Sequence, residues 1–184
     1  GDQTGAGIEV TVGGIPAVAS PAAGYLFQDA RLLPWLSAAE NIRLVAPNLT
    51  HADIADLLAK VGLPGQGGTF PAALSAGMQQ RVGLARALAL DPAVVFFDEP
   101  SAGLDPVTSR KLDELIVRIR ETFGTTIVVV SHELASIFDI ADRVIMLDRA
   151  QQGIIADGKP RELAVRSRDP RVTEFLRRGD VLPQ

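Results

Sequence analysis

Two adjacent carboxylates, Asp98 and Glu99, follow the apolar run "AVVFF" at 93–97, and His132 follows a second apolar run, "TTIVVV" at 125–130. Gln28 closes a third, "GYLF" at 24–27. Polar groups at strand ends gather at the carboxyl edge of a parallel sheet, where ligands bind. Paired carboxylates there suit phosphoryl transfer: one steers a magnesium ion, the other orients an attacking water as base. Strand alternation is expected to point Asp98 and Glu99 in different directions. Each residue alone also fits a bland role: a strand running into solvent, a structural histidine, a glutamine without a task.

A second feature lies one helix upstream, in "LSAGMQQR". Ser75 and Gly77 immediately precede a helical pattern, so free N–H groups and the positive dipole end are available to an anion. Gly77 permits close backbone approach, and Ser75 can cap the helix. An ordinary N-cap without a ligand has the same appearance.

The elements that must position these groups follow from periodicity. "IEVTV" (8–12), Gly13-Gly14 and "IPAV" predict a hairpin at a sheet edge, and 24–27 a short buried strand. A Pro-broken segment carries a short helix near 37–45. Thr50 and Asp53 form a capping box for the next helix, with Ile54, Leu57, Leu58 and Val61 on one face. A Gly/Pro-rich loop spans 62–74, and a helix runs from Met78 to about Leu90. The buried strand 93–97 precedes a helix from Pro106 with Leu112, Leu115, Ile116 and Ile119 on one face, then the apolar strand 125–130. That order predicts a βαβ crossover in a parallel sheet. A further round follows, with a helix at 133–140, strands at 143–147 and 153–158, and closing helices near 160–165 and 170–177. The expected class is α/β, one domain over 1–184, with a helical subdomain at about 30–75 inserted in a core of 1–29 and 76–184.

Composition narrows the function. The chain has no cysteine, which excludes disulfides, thiolate catalysis and Cys-based metal sites, and only two histidines, His51 and His132, which argues against a His-rich metal site. A net charge of -4 without a basic block argues against a nucleic-acid partner. No apolar run approaches the ~18 residues of a membrane span. The expected compartment is the cytosol.

Taken in order, Gln28, "LSAGMQQR", "VVFFDEP", "SAGLDP" and Ser131-His132 resemble the nucleotide-binding domain of an ATP-binding-cassette (ABC) transporter, a P-loop NTPase-like fold, over essentially the whole chain. The resemblance implies ATP and Mg²⁺ as cofactors. Gln28 matches the Q-loop and 74–79, including Ser75, Ala76, Gly77 and Gln79, the signature motif. In Walker B, 94–99, Asp98 would face Mg²⁺ with Gln28, and Glu99 would be catalytic base. Asp105 closes the D-loop, and His132 matches the switch histidine. It further implies a head-to-tail homodimer whose signature turn serves the opposite ATP. A membrane permease partner would hold the dimer on the inner face of the cell membrane.

Two departures stand out. The Walker A loop, glycine-rich and ending in Lys-Ser/Thr, belongs upstream of the first hairpin, yet Lys60, Lys111 and Lys159 lie in no such loop. The resemblance therefore implies an N-terminal part missing from this chain, which alone is expected to bind ATP poorly and not to hydrolyse it. Ala76 stands where the family has glycine, which puts the strength of the signature contact in question.

The carboxyl-terminal half, including "GIIADGKPREL" and "DPRVTEFL", resembles the Mla/Mce phospholipid-transport ATPase, whose partners include an Mce-type lipid-binding protein. "GYLFQDARLLPWLSAAENI" instead resembles the ATPases of nitrate, sulfonate or taurine importers. The phospholipid type is the expectation and the importer type the alternative. "RLLPWL" (31–36) fits either a groove for the permease or local core. A soluble ABC ATPase acting on DNA or ribosomes, or a non-catalytic relic, is the alternative of another class.

Overall fold

A computed structural model describes residues 11–12, 15–16 and 23–178. Residues 8–10, the Gly13-Gly14 turn and 17–18 of the expected first hairpin lie outside the described residues. Within it, β1 (Thr11–Val12) pairs antiparallel with β2 (Ile15–Pro16). Among the described residues this pair stands as its own two-stranded sheet, not at the edge of the larger one.

The chain forms two compact units, which divide between Val130 and Ser131. The first holds a three-stranded parallel sheet in the order β3 (Ala23–Leu26), β4 (Val94–Asp98), β5 (Thr126–Val130). Tyr25 pairs in register with Phe96, and Phe96 with Val128. Gly24, Leu26, Val95 and Phe97, on the opposite face, are buried. Strands 24–27 and 125–130 are therefore less buried than their apolar composition predicts: Tyr25 is 37% and Phe27 40% exposed, and Val130 is open. The aromatic face stabilises itself by stacking, with Tyr25 at 5.1 Å from Phe96 and 6.4 Å from Phe27.

Between β3 and β4 run α1 (Ala38–Arg43), α2 (His51–Lys60) and α3 (Ala76–Leu88). Thr50 and Asp53 form the reciprocal capping box that starts α2, and an unforeseen second box, Ser37 with Glu40, starts α1. Buried Asn41 ties the preceding turn: its amide donates to the carbonyls of Leu33, Leu36 and Ser37 at 3.0–3.2 Å. Trp35, in the same turn, is 69% exposed and does not join the local core. After β4, α4 (Pro106–Phe123) buries Leu112, Leu115, Ile116 and Ile119 as one stripe. Gly124 ends it in the left-handed conformation.

The second unit contains α5 (Leu134–Ile140), β6 (Val144–Asp148), β7 (Gly153–Gly158), α6 (Pro160–Arg166) and α7 (Pro170–Arg177). Its core is Phe138, Ala156, Ala164, Val172 and Leu176. The expected further βαβ round is corrected here: β6 pairs antiparallel with β7 in a separate sheet. The link between them, 149–152, is far shorter than the dozen residues a parallel crossover needs. Arg143 clasps Asp157 through two bonds of 2.6 Å at the hairpin's open end.

Candidate functional site

The end of β4 and the turn after β3 meet in one cleft of about 380 Å³, lined by Phe27, Gln28, Asp29, Arg31, Asp98 and Ala102. Parallel pairing explains the meeting, since Leu26 is in register with Phe97 and both chains leave the sheet at the same edge. The turn past Gln28 is shaped by local chemistry. Arg31 adopts φ 46°, its N–H donates to the Asp29 carboxylate at 3.0 Å, and its guanidinium lies 4.3 Å above the Phe27 ring.

Glu99 leaves the strand in a left-handed conformation, φ 45°, and its N–H donates to the Val130 carbonyl at 2.9 Å. The chain thus turns sharply between the two acids, with Asp98 the last residue of the strand and Glu99 the first beyond it. Asp98 is exposed and Glu99 half-buried. A non-glycine residue held at positive φ is costly and is kept where the surroundings impose it. His132 is exposed and belongs to the second unit, shortly after the end of β5.

Ser75 is the N-cap of α3, its hydroxyl accepting from the Met78 N–H at 3.3 Å. Ala76 is the first helical residue, exposed and at ordinary helical φ, so its methyl is accommodated without strain. Gly77 is buried for a reason the sequence did not disclose: a Cβ there would sit 2.7 Å from the Thr108 Cγ2. Gln79 faces back along the chain, donating to the carbonyls of Pro71 at 3.0 Å and Leu74 at 3.2 Å. It secures the loop entering the helix. Asp105 caps α4, accepting from the N–H groups of Val107 and Thr108 and from the Thr108 hydroxyl. Those bonds from Thr108, in the first place, hold its carboxyl below the usual range.

Three contributing residues escaped the sequence reading. Gln80, buried on α3, donates its side-chain amide to the Gln28 carbonyl at 2.5 Å. Arg86 donates to the carbonyls of Ala30 at 2.6 Å and Arg31 at 2.9 Å, with its pKa lowered by burial. Thr108 joins Asp105 to Gly77 as described. Between Gln80 and Arg86, Gly83 lets the helix close on the strand: a Cβ would lie 2.8 Å from Leu26 Cδ1 and 3.3 Å from the Ala30 Cβ. The helical spacing of Gln80, Gly83 and Arg86 was visible, but nothing in it names the partner segment.

The chemistry of these donors fits a nucleotide with its cation. Asp98 and the Gln28 side-chain oxygen are hard donors on one cleft. No cluster of three or more His, Cys, Asp or Glu among the described residues could hold a metal alone. Mg²⁺ is ordinarily bound by one or two carboxylates together with substrate phosphates, and Asp98 is such a carboxylate. The α3 terminus, with Ser75 and Ala76 exposed, offers N–H groups to an anion.

Residues 15–102 match the family model described as ABC transporter. The chain is 40% identical over 129 residues, 70% of its length, to the aliphatic sulfonates import ATP-binding protein SsuB of Escherichia coli O6:K15:H31 (strain 536 / UPEC), of which it covers 51%. It is 42% identical over 123 residues, 67% of its length, to the protein of that name in Ralstonia nicotianae, covering 43%. It spans about half the length of these relatives. Among solved structures, it is similar to cbiO1 from Clostridium perfringens, part of the ABC transporter complex cbiONQ. The TM-score is 0.75 at 24% identity, over 91% of this chain and 75% of that one. That likeness shows the α/β fold. The relatives named are sulfonate importers, so the preference for a phospholipid system over that alternative finds no support in them.

Proposed function

From a chain that carries an ABC transporter ATP-binding domain, we propose the ATP-hydrolysing subunit of an importer for small organic anions of the aliphatic sulfonate kind. The observation that carries it is the cleft shared by Gln28 and Asp98, two residues remote in sequence. The substrate class rests on relatives at 40–42% identity named as sulfonate importers.

In this proposal Asp98 and the Gln28 side chain hold Mg²⁺ with the nucleotide. When bound, the ion neutralises charge developing on the phosphates. Glu99 accepts a proton from the attacking water, its direction set by the turn at φ 45°. His132, which lies in the other unit, is the residue that the family resemblance assigns as the switch histidine. Ser75, Ala76 and Gly77 present the α3 terminus to a nucleotide held by a second copy, Asp105 borders that interface, and Gln79 stiffens the loop behind it. The exposed Trp35 supports docking of a permease beside the Gln28 turn, on the inner face of the membrane. No helix among the described residues is long and apolar enough to cross a membrane.

The test is reconstitution of the full-length protein in liposomes with a permease and binding protein of the sulfonate-import type. Alkanesulfonate should stimulate ATP hydrolysis while phospholipid composition leaves it unchanged. Stimulation only by phospholipid or an Mce-type partner would restore the phospholipid-transport expectation. ATP turnover indifferent to any permease would point to a soluble ABC protein.

A further inference from the structure

Thr108 faces two ways. Its hydroxyl donates to one oxygen of Asp105, its N–H donates to the other at 3.1 Å, and its methyl occupies the space where Gly77 would carry a Cβ. One side chain in the first turn of α4 therefore touches both the turn that opens α3 and the loop that ends at Asp105. Gly77 is buried and Thr108 half-buried, so this is a packed contact rather than a surface encounter.

We propose that Thr108 is the positioning residue that fixes the Ser75–Gly77 turn to the Asp105 loop, so that both are presented as one rigid surface. This rests on the reading of those two segments as the face offered to a second copy's nucleotide. The methyl sets the distance, because only glycine at 77 leaves room for it. The hydroxyl sets the orientation, because it adds a side-chain bond to Asp105 that the backbone N–H alone does not supply. A change of half an ångström at either end shifts the other, since packed side chains transmit displacement.

The two halves separate by substitution in the full-length protein. Gly77→Ala should lower kcat for ATP by at least about fivefold, and Thr108→Ser in the same chain should recover most of that loss. Serine lacks the obstructing methyl but keeps the hydroxyl. Thr108→Val keeps the methyl's place and loses the hydroxyl. It should lower kcat several-fold, counted per nucleotide-binding-competent site so that unfolded protein is not read as slow enzyme, while KM for ATP stays within about twofold. Equal impairment by Gly77→Ala with and without Thr108→Ser overturns the proposal, as does a Thr108→Val enzyme identical to wild type. A wild-type full-length protein without ATPase sinks the nucleotide-site reading instead. The same four-way comparison made on melting temperature then decides the Gly77–Thr108 contact alone: recovery in the double variant upholds it, and additive losses overturn it.

Discussion

The side-chain amide of Gln80 is bonded to the main-chain carbonyl of Gln28 at 2.5 Å, joining the helix that opens at Ser75 to the turn carrying Gln28. The bond is one-sided, because the Gln80 side-chain oxygen is buried without a partner. An unmet buried acceptor costs about what the bond returns. Gln80→Met is therefore expected to change stability by less than about 1 kcal/mol. It should nevertheless accelerate amide hydrogen exchange across residues 29–31. Unchanged exchange would mean that the turn is held without Gln80.

Arg86 supplies two further bonds to the same turn, from a half-buried guanidinium to the carbonyls of Ala30 and Arg31. Hydrogen bonds from a charged donor are stronger than neutral ones, so Arg86→Ala should cost about 2 kcal/mol in urea unfolding. Arg86→Lys should recover only part, since a single ammonium does not reproduce the planar fork.

Glu99 stands at φ 45°, where a side chain costs about 1–2 kcal/mol and glycine costs little. Thermal unfolding should accordingly find Glu99→Gly more stable than Glu99→Ala by about 1 kcal/mol. The reverse order would show that the turn relaxes when the carboxylate is removed.

Acid stability follows from the caps. Asp105 and Asp53 are held below the ordinary carboxylate range, first by the side-chain hydrogen bonds from Thr108 and Thr50 respectively. A depressed folded pKa stabilises above the unfolded value of about 3.9 and loses that stability as pH falls through the folded value. The melting temperature should fall below about pH 4. In Asp105→Asn that fall should be shallower, because one linked proton is gone.

Much of the fold is written locally, and those parts were legible. Thr50 and Asp53 lie three residues apart and announce their box, and Leu112, Leu115, Ile116 and Ile119 mark a helix face by spacing alone. Contacts between distant segments were not legible. Gly77 suggests close approach, but that Thr108 makes the approach depends on how α3 packs on α4. The turn at Glu99 could not be read either, because no residue type demands positive φ there. The pairing of β6 with β7 could have been found, since the short link permits only a hairpin. For the site, residue types at strand ends named Gln28 and Asp98, whereas Gln80, Arg86 and Thr108 act through tertiary contacts and left no local mark.

The central claim, that Glu99 activates water for cleavage of a nucleotide whose cation Asp98 and Gln28 hold, is tested most directly by single-turnover ATP hydrolysis in full-length protein carrying Glu99→Gln. The amide keeps the shape and hydrogen-bonding reach of the side chain but cannot take the proton. Cleavage should slow by roughly 100-fold or more, with nucleotide affinity retained. Hydrolysis at the wild-type rate by Glu99→Gln would contradict the account.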